Sequence, residues 1–132
     1  MSRFTMHFTA QAADIDELGH VNNTVWVRWV QDIATAHWRA VAPAQHQLDY
    51  VWLVTRHEID YRGNIALGDA VEAVTFIPDP PRGARFDRVV EFRRAAAAPV
   101  VVTARSTWAL IERASGRLVR VRAEVAAPFF AG

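Results

Sequence analysis

Hydrophobic and polar positions alternate from the first residues onward. Phe4, Met6 and Phe8 fall on one side and Arg3, Thr5 and His7 on the other, which predicts a strand over residues 3–9. From Val21 to Val41 the spacing changes to three and four. Thr24, Arg28, Gln31, Thr35 and Arg39 make a narrow polar stripe, and nearly everything else, including Val25, Trp26, Trp29, Val30, Ile33 and Trp38, is apolar. That pattern predicts a helix, Asn22 to Val41, buried around most of its circumference and wrapped by a sheet. Residues 51–61 alternate again, with Val51, Leu53, Ile59 and Tyr61 on one face of a half-buried strand and Arg56, Glu58 and Asp60 on the other. Further strand-like segments cover 69–77, 84–94, 100–111 and 117–124. They are separated by Gly63-Asn64, Gly68-Asp69, Pro78-Asp79-Pro80-Pro81, Ala98-Pro99 and Ser115-Gly116.

One strand, a long helix and then a run of strands fits an α+β fold with an antiparallel sheet, because parallel units would need a helix between successive strands. A dinucleotide-binding fold is disfavoured on that ground, and no glycine-rich phosphate loop is present. With 132 residues, no internal repeat and no linker, a single domain over 1–132 is expected.

Composition narrows the chemistry. Fifteen basic against 14 acidic residues give a formal net charge of +1, so no overall field would gather nucleic acid or an anionic membrane, and neither is expected as a partner. The absence of cysteine excludes disulfides, a thiol nucleophile and cysteine-ligated zinc. The opening residues lack the apolar core of a signal peptide and no run approaches the ~20 apolar residues of a membrane span, so a cytoplasmic location is expected.

The segment Ala13 to Trp26 concentrates the reactive side chains: Asp14, Asp16, Glu17, His20, Asn22 and Asn23, with Gly19 to permit a sharp turn. It runs into the start of the long helix, where Asn22 is placed to cap. A helix entrance offers unpaired N–H groups and the positive end of the helix dipole to an anion. Hydrolysis of an acyl thioester needs a base or nucleophile to bring water to the carbonyl, and donors for the oxyanion that forms. Asp16 or His20 can supply the first and the backbone N–H of Asn23 the second, without a metal or an organic cofactor.

The spacing Asp14-x-Asp16-x-x-Gly19-His20-Val21-Asn22-Asn23-x-x-Trp26 resembles the signature of the hotdog-fold acyl-CoA thioesterases. Their branches include 4-hydroxybenzoyl-CoA thioesterases, bacterial long-chain acyl-CoA thioesterases and plant acyl-ACP thioesterases. The pattern Ile59-Asp60-Tyr61 followed by Gly68-Asp69 resembles the next segment of the family. The resemblance implies a hotdog fold, five or six antiparallel strands around one central helix. It also implies a homodimer or homotetramer with sites at the subunit boundary, and an acyl-CoA or acyl-ACP substrate. By the same resemblance Asp16 is the general base or attacking carboxylate, His20 assists, and Asn23 gives its main-chain N–H to the thioester carbonyl. Gly19, Val21, Asn22 and Trp26 then border the substrate. Two positions depart from the pattern: Trp26 replaces the usual tyrosine, and Leu18 stands where the plant enzymes carry a catalytic asparagine, which leaves more of the work to Asp16.

Elsewhere the bland readings dominate. Asp14 is expected to brace the loop, the tryptophans at 26, 29 and 38 to fill the core, Asp32 to pair with Arg28 one turn away, and His57, Glu58 and Asp60 to be structural. His37 and His46 carry no motif. Arg82, Arg85, Arg88, Arg93 and Arg94 make one stretch basic, either as a charge-protected edge strand or, through Arg82 and Arg85, as a site for the phosphates of coenzyme A. The alternatives to hydrolysis are a hydratase or dehydratase on the same fold and a module that only binds an acyl thioester.

Overall fold

The computed structural model describes residues 2–131. Strand β1 (Phe4–Thr9) leads through a single 3₁₀ turn at Ala12–Asp14 into helix α1 (Asn23–Val41) and a short helix α2 (Ala44–Asp49). Strands β2 (Tyr50–Tyr61), β3 (Ala70–Phe76), β4 (Arg85–Arg93), β5 (Val100–Glu112) and the two-residue β6 (Arg117–Leu118) follow, and α3 (Ala123–Ala126) comes near the end. All pairings are antiparallel, in the order β1-β3-β4-β5-β2, with β6 beside the end of β5. This is the hotdog arrangement, a six-stranded sheet with α1 against its inner face. The polar stripe of α1 lies outward as expected, with Thr24, Arg28, Gln31, Thr35 and Arg39 all exposed. Trp26, Trp29, Val30 and Ile33 are at most 3% exposed.

Two apolar clusters fill the space between helix and sheet. One gathers Phe8, Trp26, Trp29, Ile33, Val90, Phe92 and Ala104 near the start of α1; the other gathers Trp38, Phe86, Trp108, Leu110 and Phe129 near its end. A belt of polar side chains separates them. On β3 Thr75 lies between Ala73 and Ile77, the latter just past the strand's end, on β4 Arg88 between Phe86 and Val90, on β5 Ser106 between Ala104 and Trp108, and His37 crosses above from α1. Thr75, Arg88, Ser106 and His37 are each no more than 2% exposed. His57 extends the row onto β2, opposite Ser106 in register.

Several expectations are corrected. The pairing of β2 with β5 slips between Val54 and Arg56. This bulge moves the inward side from Trp52 and Val54 to His57 and Ile59, so Val51 and Leu53 face solvent, 39% and 55% exposed, instead of sharing a buried face with Ile59. β4 is an interior strand between β3 and β5, and Arg88 lies in the core, so the basic stretch is no charge-protected edge. The strand expected over 117–124 stops at Leu118. The N–H of Val119 then donates to Leu110 and that of Val121 to Gly83, and Arg122 becomes the N-cap of α3. No helix among the described residues is long and apolar enough to cross a membrane.

Candidate active site

The loop before α1 is built by its own hydrogen bonds. Ile15 and Val21 bridge at its base, the N–H of Asp16 donates to the His20 carbonyl at 2.8 Å, and Gly19 turns back onto the Asp16 carbonyl at 3.1 Å with φ of 77°. Only glycine adopts that φ without strain. The Asp16 carboxylate sits over this turn, Oδ1 accepting the N–H of Leu18 at 2.9 Å and of His20 at 3.2 Å. Its Oδ2 has no hydrogen bond among the described residues. Asp16 is half-buried, whereas the His20 ring and Leu18 are exposed.

Asp14 braces the loop from beneath. Its Oδ2 accepts the Gln11 N–H at 2.9 Å and its Oδ1 the Arg28 Nη2 at 2.9 Å, with the residue only 5% exposed. These two bonds hold its carboxyl below the usual carboxylate range, the backbone bond from Gln11 contributing most. Arg28 therefore pairs with Asp14 and not with Asp32, which is exposed one turn further along the helix. A second brace comes from Asn64, read from the sequence only as part of a turn. Its amide clasps Val21 on both sides, accepting the Val21 N–H and donating to the Val21 carbonyl, each at 3.2 Å. Arg94 donates to the Asn64 carbonyl and pairs with Asp69.

At the mouth of α1, Asn22 caps, its Oδ1 taking the N–H and hydroxyl of Thr24 at 3.1 and 3.0 Å. The N–H of Asn23, an exposed residue, meets no protein acceptor among the described residues, and it stands at the positive end of a 19-residue helix. Asp16, His20, Gly19, Asn22 and Asn23 thus share one accessible loop. Val21 and Trp26 are wholly enclosed and lie within the first apolar cluster, Trp26 edge-on to Trp29 and Phe92. Arg82 pairs with Asp87 at the far end of the sheet, and Arg85 is exposed beside it. Within one chain they are not brought to Asp16.

A cavity of about 440 Å³ is also at that far end. Ala34, Thr35 and Trp38 of α1, Trp52 of β2, Phe86 and Arg88 of β4 and Trp108 of β5 line it. Asn23 and Ala34 are eleven residues apart, roughly 16 Å along the helix. At the floor, Arg88 Nη1 donates to His37 Nδ1 at 2.9 Å and to Thr75 Oγ1 at 3.0 Å. Burial, reinforced by the Arg88 charge, pushes His37 down to about 4, so its ring is neutral at pH 7. Nδ1 then accepts, and the proton is on Nε2. His57 Nδ1 lies 2.6 Å from Ser106 Oγ, and burial lowers its pKa as well. Among the described residues no group of His, Asp or Glu converges in a way that could hold a metal ion.

Residues 10–129 match the thioesterase-like superfamily. The chain belongs to that superfamily. It is a thioester hydrolase by class, and its fold is shared with solved relatives of low identity. A 1,4-dihydroxy-2-naphthoyl-CoA thioesterase from Synechocystis is 15% identical with a TM-score of 0.82, over 98% of this chain and 96% of the other. The dynemicin thioesterase is 18% identical with a TM-score of 0.83, over 98% and 96%. A Staphylococcus aureus protein solved in complex with CoA is 14% identical with a TM-score of 0.81, over 96% and 81%. No curated protein matches the sequence.

Proposed function

We propose that this superfamily member hydrolyses an acyl-CoA, with Asp16 directing water onto the thioester carbonyl or attacking it, and the Asn23 N–H receiving the oxyanion. The observation that carries this reading is the Asp16 carboxylate. One oxygen is fixed by two backbone N–H groups and the other has no partner among the described residues, on the loop that leads into the unpaired Asn23 N–H at the positive end of α1. A carboxylate already holding two donors is oriented without being neutralised, which suits a base. The similarity to a protein solved with CoA supports that carrier over others.

The site is completed by a second copy of the chain. β2 is an edge strand of twelve residues. The Asp16 loop is tied through Val21 to Asn64 and Ile65, just past the end of β2, while the cavity opens around Tyr50, Val51 and Trp52 at its beginning. Two β2 edges paired antiparallel bring each loop to the other copy's cavity, which answers the separation of loop and cavity within one chain. Arg82 and Arg85 then stand at the same end of the joined sheet as the other copy's Asp16, and there they are our candidates for the phosphates of coenzyme A.

Incubation with aromatic, short-chain and long-chain acyl-CoAs, read as free thiol released, tests the reaction. Release with at least one supports it. Binding without release from any member of the panel would make the protein a carrier module, and hydration of an enoyl-CoA in place of release would make it a hydratase. Sedimentation of the intact protein as a monomer at micromolar concentration would remove the shared site.

A further inference from the structure

The floor of the cavity carries a charge that the protein does not neutralise. Arg88 is 2% exposed, and no carboxylate among the described residues pairs with it. Its two hydrogen-bond partners, His37 and Thr75, are neutral, and its Nε has none. The rings of Phe86 and Phe129, 5.9 and 5.5 Å from its guanidinium carbon, offer only the partial relief of a cation beside an aromatic face. A cation removed from water costs several kcal/mol unless an anion meets it, and a purely structural arginine is ordinarily given a carboxylate.

The surroundings share this excess of donors. Trp52 and Trp108, which line the cavity, each keep a buried indole N–H without an acceptor, and so does His37 at Nε2 behind Arg88. Among the described residues no aspartate or glutamate lines the cavity, whereas Arg39 and Arg113 stand with Arg88 in its wall. The rest of that wall is largely aromatic: Trp38, Trp52, Phe86 and Trp108. At about 440 Å³ the space is within the range of small-molecule sites.

We infer that this cavity binds a planar aromatic anion, its ring against the tryptophans and its carboxylate or phenolate oxygen received by Arg88. The flat faces recognise the ring, and a charge-assisted bond to the guanidinium satisfies donors that otherwise stay empty. The inference deepens the hydrolase reading by naming the acyl class, an aryl group bearing an anionic oxygen. It rests on that reading only for this identification, because occupancy can be measured without turnover.

The experiment is calorimetric titration of the intact protein with 2-naphthoate and with its neutral counterpart 2-naphthamide. We expect the acid to bind at least tenfold more tightly than the amide, and Arg88→Met to abolish the difference. Thr35 is exposed at the cavity wall, so Thr35→Trp should fill the space without touching the core, and it should remove naphthoate binding even if Arg88→Met does not fold. Equal affinity for acid and amide, no naphthoate binding at millimolar concentration, or undiminished binding in Thr35→Trp would each overturn the assignment. Naphthoate bound by a protein that releases no thiol from any acyl-CoA would retain the binding site and sink the hydrolase reading alone.

Discussion

The two ends of α1 handle polar groups in opposite ways. At its start the loop is largely exposed and satisfied: the Asp14 carboxylate and one oxygen of Asp16 are engaged by backbone or arginine donors, leaving one Asp16 oxygen and the Asn23 N–H without a partner among the described residues. Toward its end the belt is buried and unsatisfied, with a buried cation, a neutral histidine and indole N–H groups that lack acceptors among the described residues. A reacting carboxylate must stay hydrated enough to remain ionised and to hold water. A recognition pocket gains from unmet donors, because each one makes the correct ligand more favourable and the wrong one costlier. On the proposed reading, reaction and selection would occupy separate ends of one helix, and a second copy would join them.

The largest expected effect tests the reacting end. Asp16→Asn keeps an oxygen for the Leu18 and His20 N–H groups, so the loop and the melting temperature should hold, while the rate of thiol release should fall by about 10²–10⁴. Turnover within a few-fold of the wild type on any accepted acyl-CoA would remove Asp16 from the reaction.

Next comes the buried end, read as stability against pH. An unfolded imidazole takes up a proton below about 6.5, but buried His37 does so only near 4, so the unfolded state binds more protons in that window and stability falls as pH drops through it. The loss is on the order of 3 kcal/mol between pH 7 and pH 4. His37→Asn, which offers Arg88 an amide oxygen, should flatten the urea-denaturation free energy over that range. An unchanged slope would mean that burial and the Arg88 charge do not depress His37.

The contrast also explains what could be read from the sequence. The loop is contiguous, and turn, cap, brace and carboxylate all fall between Asp14 and Trp26, so local chemistry announced it. The belt is assembled from five elements, with His37, His57, Thr75, Arg88 and Ser106 contributing one residue each, and no period links them. Arg88 looked like one member of a basic surface run, because only the strand order puts β4 in the interior. His57 shared a strand with apparent surface charges until the bulge at Val54/Arg56 turned it inward, and the same slip exchanged the faces of Val51 and Leu53. The long helix and every strand but the last were legible in their approximate bounds because hydrophobic periodicity is local. Register, bulges and neighbours across the sheet are not.

A smaller effect separates bracing from chemistry at the loop. Asp14→Asn loses the ion pair with Arg28 and weakens the bond from the Gln11 N–H, which should cost about 1–3 kcal/mol in urea denaturation at pH 7. Because the folded Asp14 carboxyl is depressed below its ordinary value of 3.8, its contribution is fully present above that pH and is lost as pH falls through the lower folded value. Wild type and variant should therefore converge in stability toward pH 2. A constant gap down to that pH would show that Asp14 acts by packing and not by charge.

The smallest expected effect concerns His20. Its main chain, not its ring, closes the Asp16 turn, and both backbone bonds survive truncation. The ring is exposed and makes no hydrogen bond among the described residues. A thiolate leaving group, with a conjugate acid near the ~8.5 of an ordinary thiol, departs without needing protonation, so an imidazole acid adds little to the step that breaks the carbon–sulfur bond. His20→Ala should then slow thiol release by about tenfold or less, roughly 1.4 kcal/mol, with the melting temperature unchanged. A loss equal to or larger than that of Asp16→Asn would invert the ranking and make the imidazole the base, leaving the Asp16 carboxylate as the group that holds the turn.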